Sequence, residues 1–282
     1  MVVLVEHSKE KRSKELPMFN PRLYVFDIDG TLLTTDYKIL PSTRKAIALL
    51  SERGGQIMLA SARPPKAMDP IAREFNLDPL YISLNGALVV QGERLLSAQA
   101  MPFQAAQRVI SIALEAGLSV NVYSFWDWFI GETNAWSTHE GDMVGFYGEV
   151  RDLSTVQEVH KILLLGEQEK IVQVQDRLTR HVPEVVASRS IPNYLEVVDA
   201  RVSKGRALSL VSELLDVDVR HIVAVGDGEN DLAMLRLAGF SVAMGNAHPS
   251  LRAEAHFVTG SNNQDGILQA VLKIMDLGGV SL

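Results

Sequence analysis

Short uninterrupted apolar runs alternate with helical stripes along this chain. Leu23–Phe26, Ile57–Ala60, Leu80–Leu84 and Ile222–Val225 lack the alternating polar positions of a one-sided strand. Such runs predict buried parallel strands. Pro41-Ser42 opens a predicted helix whose apolar face is Ala46, Ile47, Leu49 and Leu50, and Gly54 closes it. Ala67, Met68, Ile71, Ala72 and Phe75 repeat at helical spacing. Strand and helix in alternation predict an α/β fold, a Rossmann-like parallel sheet with helices on both faces.

The rhythm changes after Ala87. A helical stripe from Phe103 to Ala113 leads to the strand-like runs Ser119–Ser124 and Trp128–Glu132. Strand Lys161–Leu165, helix Glu169–Arg180 and the runs Glu184–Ala187 and Tyr194–Val198 follow. Adjacent paired strands with intervening helices predict an α+β module, antiparallel in character. From Ser203 the α/β rhythm returns, with helices Gly205–Leu215 and Ile267–Met275 and a strand Ser241–Met244. The expected organisation is a discontinuous core, residues 21–87 and 199–282, with an inserted α+β cap domain at 88–198. Residues 1–20 are expected to form a flexible tail. Glu6–Glu15 is mostly charged and has no apolar stripe, and Met18 offers an alternative start.

At 282 residues the chain can bury a large core. Its formal charge of −7, without a basic run, argues against nucleic acid as a partner. It has no cysteine, which excludes disulfides and thiolate chemistry and fits a reducing compartment. No apolar stretch is long enough to cross a bilayer, so no membrane partner is expected and the cytoplasm is the expected location.

Three separated strings carry the candidate chemistry: Asp27-Ile28-Asp29-Gly30-Thr31, Lys204-Gly205 and Gly226-Asp227-Gly228-Glu229-Asn230-Asp231. The first and third each follow an apolar run. Carboxylates at the C-terminal ends of neighbouring parallel strands converge on one crevice. Packed carboxylates repel unless a cation sits among them, and Mg²⁺ is the natural hard dication. A lysine beside them points to an anionic ligand, and phosphate fits best. In this reading Asp27 is the nucleophile that forms an aspartyl phosphate, and Asp29 is the general acid and base. Asp27, Asp29, Asp227 and Asp231 are candidate metal residues. Lys204, Ser61, Ala62, Asn85 and Asn230 are candidate phosphate-side groups. An isolated Asp-x-Asp-Gly is also a common turn, and Ser61 and Asn85-Gly86 read equally well as turn residues. Asp231 and Glu229 would suit a helix N-terminus without any metal.

These motifs resemble those of the haloacid dehalogenase superfamily of phosphohydrolases, most closely the Cof-type subfamily with a type C2B cap. Asp27-Ile28-Asp29-Gly30-Thr31-Leu32 is similar to its first motif. Ser61-Ala62-Arg63 stands where Thr-Gly-Arg is usual, keeping the hydroxyl and losing the glycine. Val202-Ser203-Lys204-Gly205 resembles the third motif and Gly226–Asp231 the fourth. Ala243–Ala247 and Asn262–Gly266 resemble the C-terminal stretches. The resemblance implies a phosphoric monoester hydrolase that uses Mg²⁺, with the Asp29 backbone carbonyl rather than its side chain as a ligand. It implies sugar phosphates or other small phosphometabolites as substrates.

Competing readings share the acidic sheet. A receiver-type phospho-acceptor needs neither Asp29 nor a large insert. A Rossmann dinucleotide binder needs Gly-x-Gly-x-x-Gly after the first strand, which is absent. A phosphomutase or a sugar-phosphate binding protein would use the same core, and steady phosphate release separates them from a phosphatase. The seven histidines are scattered and predict no metal cluster. Trp126 and Trp128, alternating around Asp127 on one expected cap strand, suit either packing within the insert or a substrate-facing platform.

Overall fold

The computed structural model describes residues 20–278, so the tail expectation falls outside it except at Asn20. The chain runs β1 Leu23–Phe26, α1 Pro41–Glu52, β2 Gln56–Ala60, α2 Pro65–Glu74, β3 Leu80–Ser83, β4 Leu88–Gln91 and β5 Arg94–Ala98. It continues with α3 Phe103–Glu115, β6 Ser119–Ser124, β7 Asp127–Ile130, α4 Ala135–Val144, β8 Glu149–Val150, β9 Lys161–Leu165, α5 Gln168–His181, β10 Val185–Ile191 and β11 Tyr194–Asp199. It closes with α6 Lys204–Leu214, β12 Ile222–Gly226, α7 Leu232–Leu237, β13 Phe240–Ala243, α8 Pro249–Glu254, β14 Phe257–Val258 and α9 Gly266–Leu277.

Eight strands form the first sheet in the order β14-β13-β12-β1-β2-β3-β4-β5. The six from β14 to β3 are parallel, and every residue of β1, β3 and β12 is buried. That burial is why these strands read as unbroken apolar runs. The chain starts at the centre, moves outward through β2 and β3, and returns on the other side of β1 through β12. The order therefore reverses between β1 and β12, which is where open α/β sheets bind ligands.

One expectation is corrected here. The boundary drawn between residues 87 and 88 falls inside this sheet. β4 pairs antiparallel with β3, and β5 with β4, so residues up to Ala98 belong to the first sheet. The change of rhythm after Ala87 marks a switch of strand direction within the sheet.

The second sheet has the order β10-β11-β9-β6-β7-β8 and is antiparallel apart from β7 with β8. Alternation splits its residues between two faces. Val120, Val122, Ile162, Leu164, Leu195 and Val197 pack with residues of α3 and α5. Tyr123, Trp128, Leu163 and Leu165 instead join the apolar cluster of the first sheet. Trp126 and Trp128 do not share a strand. Trp126 lies in the turn before β7, half-buried and stacked on Phe125. Trp128 is buried, stacks on Tyr123, and donates from Nε1 to Asn121 Oδ1 at 3.2 Å. Among the described residues no helix is long and apolar enough to cross a membrane.

Candidate active site

β1 and β12 deliver Asp27 and Asp227 side by side, because Phe26 is paired with Val225. Asp27 N–H donates to the Val225 carbonyl at 3.0 Å, extending the ladder by one residue into the loop. Two glycines make the close approach possible. Gly30 has φ +79°, and a Cβ there would sit 2.3 Å from a carboxylate oxygen of Asp227. A Cβ on Gly226 would sit 2.4 Å from an Asp231 oxygen. Any larger side chain at either position would displace the acids.

Asp27, Asp227 and Asp231 each offer a carboxylate oxygen within 4.8 Å of the others. Lys204 is the first residue of α6, whose N-cap Ser203 accepts from Arg206 N–H. Its Nζ lies 2.6 Å from both Asp27 Oδ1 and Asp231 Oδ1, fully sealed from solvent. Asp231 is held throughout: its Oδ2 accepts from the Asp227 and Gly228 amides, each at 3.0 Å. Asp227 accepts from Thr31 Oγ1 at 3.0 Å and from Asn246 Nδ2 at 3.2 Å.

Three buried or half-buried acids face one ammonium, so the site is short of positive charge. Burial, then the Asp231 carboxylate, pushes Asp27 well above the usual carboxylate range, with Lys204 opposing. Burial and Asp231 push Asp227 up to about 6 against the Thr31 hydrogen bond. Burial alone would lower Lys204, but Asp231 and Asp27 overcome it and raise it, keeping it charged. An all-oxygen donor set in which burial and the Asp231 carboxylate raise both Asp27 and Asp227 suits a hard dication such as Mg²⁺.

The Asp29 side chain stands apart from the metal-type acids, in line with the resemblance, which implied only its backbone carbonyl as a ligand; its partner Arg63 was not expected. The carboxylate turns to Arg63, whose Nε and Nη2 donate to its two oxygens at 2.8 and 2.7 Å. The fork of the guanidinium matches both oxygens at once and holds the carboxylate away from the metal-type cluster. Of the four acids named from the sequence, only Asp27, Asp227 and Asp231 bring carboxylate oxygens together.

Of the phosphate-side candidates, Lys204 lies among the acids, and Ser61, Asn85 and Asn230 are linked to one another by hydrogen bonds. Ser61 is buried and its Oγ accepts from Arg63 N–H at 3.1 Å. Leu84 and Asn85 have φ of +50° and +61°, two successive left-handed residues in the turn after β3. Leu84 N–H donates to Arg63 O and Asn85 N–H to Ser61 O, which fastens this strained turn to the Ser61-Ala62-Arg63 loop. Asn230, exposed, donates from Nδ2 to Asn85 Oδ1 at 2.9 Å. Ser61, Asn85 and Asn230 thus belong to one bonded arrangement beside the acids.

Sequence reasoning missed the groups that come from the second sheet. Lys161 Nζ donates to the Ala62 carbonyl at 2.8 Å, and Glu196 accepts from Asn85 Nδ2. Buried Glu140 accepts from Tyr123 Oη at 3.2 Å, and burial raises its carboxyl against the pull of Lys161. Lys161 begins a strand and Glu196 interrupts one, so a charge inside an apolar run was the available signal. Thr31 and Asn246, both inside noted motifs, were also missed as partners of Asp227.

The haloacid dehalogenase-like hydrolase profile matches residues 24–271. The chain is 31% identical to the HMP-PP phosphatase of Escherichia coli, over 83% of this chain and 87% of that protein. A haloacid dehalogenase-like hydrolase from Bacteroides thetaiotaomicron superposes with a TM-score of 0.83 at 27% identity, covering 90% of this chain and all of that one. A Thermotoga maritima protein superposes at 0.80, also at 27% identity, covering 93% and 98%. Matching motifs, a family match over residues 24–271 and the shared fold agree: the chain belongs to the haloacid dehalogenase-like hydrolases, as a phosphohydrolase of their Cof type.

Proposed function

We propose that this protein hydrolyses a small phosphorylated metabolite, a sugar phosphate or similar ester, through an aspartyl phosphate on Asp27. The observation that carries the reading is the bond from sealed Lys204 to Asp27 Oδ1, at the switch point of the sheet and beside two further acids. Asp27, Asp227 and Asp231 would hold Mg²⁺, which when bound supplies the missing positive charge and neutralises charge on the phosphoryl group. Lys204 fixes Asp27 and presents one oxygen to phosphorus. Asp29, once clear of Arg63, protonates the leaving oxygen and then takes a proton from the attacking water. Ser61, the Ala62 amide, Asn85 and Asn230 line the phosphoryl side. The second sheet, which reaches the Ala62 and Asn85 loops through Lys161 and Glu196, would help to exclude water from the first step.

The HMP-PP phosphatase relative extends the candidate substrates beyond sugars to other small phosphorylated compounds. The test is a screen of phosphometabolites in Mg²⁺ buffer with detection of inorganic phosphate. Acid-quenched enzyme would be analysed for phosphate on the peptide carrying Asp27. Steady release with a labelled Asp27 is expected. Full turnover without any acid-stable label on that peptide, at saturating substrate, would remove the covalent step.

A further inference from the structure

The second sheet presents a buried ion pair to the first. Lys161 on β9 and Glu196 on β11 sit 3.3 Å apart, with side chains 4% and 10% exposed. Each member of the pair also reaches a different loop of the first sheet. Lys161 Nζ donates to Ala62 O at 2.8 Å. Glu196 Oε2 accepts from Asn85 Nδ2. Asn85 Oδ1 then accepts from Asn230 Nδ2 at 2.9 Å. The result is a directed chain, Asn230 to Asn85 to Glu196, running from the crevice into the second sheet.

Direction matters because an amide has two different ends. An ionised carboxylate can only accept. It therefore draws the Asn85 nitrogen towards the second sheet and leaves the Asn85 oxygen facing Asn230. Asn230 must answer with its nitrogen, which leaves the second N–H of this exposed amide as the donor available to a ligand. With the Asn85 amide reversed, an oxygen would face Glu196 and the Asn230 amide would reverse as well. That would turn an acceptor towards an anionic phosphoryl group.

We propose that Glu196 is a positioning residue, which orients Asn85 and Asn230 for phosphate and so makes phosphate affinity depend on the seated second sheet. Lys161 supplies its counter-charge and fastens the Ser61-Ala62-Arg63 loop in the same act. The inference rests on the reading of this crevice as a phosphate site.

The test is calorimetric titration of inorganic phosphate into the full chain in Mg²⁺ buffer. Wild type, Glu196→Ala, Asn85→Ala and the double variant form a cycle. Simple electrostatics predicts that removing a negative charge tightens anion binding. Positioning predicts the opposite sign: Glu196→Ala should weaken phosphate about tenfold, the size of one lost charge-assisted hydrogen bond. Because Glu196 acts through Asn85, the double variant should bind no worse than Asn85→Ala alone. Glu196→Gln keeps the volume and an accepting oxygen, and should fall between. It carries the same cycle if the alanine variant does not fold. Unchanged or tighter phosphate binding in Glu196→Ala, multiplied losses in the double variant, or no phosphate binding by wild type each overturn the proposal. Parallel turnover of a phosphate ester keeps the two readings apart. A non-additive cycle without turnover removes the phosphatase and spares the positioning role. Turnover with multiplied losses does the reverse.

Discussion

Lys204 Nζ and Asp27 Oδ1 meet at 2.6 Å in a place closed to solvent, and the same ammonium spans to Asp231. The lysine is thus the only side-chain cation among the described residues within hydrogen-bond reach of the three-acid group. Lys204→Met should leave two buried carboxylates unpaired. Removing one partner of a buried ion pair typically costs about 3–5 kcal/mol. Thermal unfolding in chelator should show a large drop, with Mg²⁺ recovering part of it, and phosphate release should be lost. A variant as stable as wild type in chelator would show that Lys204 does not hold the acids.

Asp227 gives a pH signature. Its carboxyl rises to about 6 in the folded chain, above the ordinary aspartate value of about 3.9. Between those values the folded state keeps a proton that the unfolded state has released. Metal-free stability should therefore fall as pH rises from about 4 to about 6, through this group, and remain reduced above it. Asp227→Asn should flatten that part of the profile. Mg²⁺ should raise the melting temperature more at pH 7.5 than at pH 5. Melting curves of both proteins, with chelator and with Mg²⁺, check it, and equal Mg²⁺ effects at both pH values would contradict it.

Asp27→Asn removes the nucleophile and keeps its size. Phosphate release should fall by several orders of magnitude, as when a nucleophile is removed in other covalent enzymes. Relief of carboxylate repulsion should raise the melting temperature without metal. Steady-state rates and melting curves on the same preparation test both halves. Turnover comparable to wild type would end the covalent mechanism.

Asp29 is tested by leaving group. An alkoxide from a sugar needs a proton, and the carboxylate leaving acetyl phosphate needs little. Asp29→Asn should lose about 10²–10⁴-fold in the phosphorylation step with a sugar phosphate and far less with acetyl phosphate. Single-turnover rates with metal affinity measured alongside decide it. Equal losses on both substrates would assign the proton to another group.

The parts legible in the sequence were those whose physics is local. β1 and β12 are buried on both faces, so their apolar runs announced them, and the acids at their ends followed. β5 was missed because its residues are half-buried or exposed on an edge. α4 was missed because its buried positions are Ser137, Glu140 and Gly141, which carry no apolar stripe. The turn of Asp29 towards Arg63 depends on a bond across 34 residues, and Glu196 meets Asn85 across 111. No local pattern encodes such partners.

The pairing of β1 with β12 also sets an order of events during synthesis. Leu23 lies against Ile222, so the central strand of the sheet meets its second neighbour only after about two hundred further residues have left the ribosome. β1 and β2 can pair early, but one side of β1 stays open until Ile222–Val225 have been made. Contacts this distant in sequence make for slow folding and for edges exposed to mispairing. A nascent chain stalled before residue 204 would carry Asp27 with neither Lys204 nor Asp227 beside it, and so would have no assembled centre to act with.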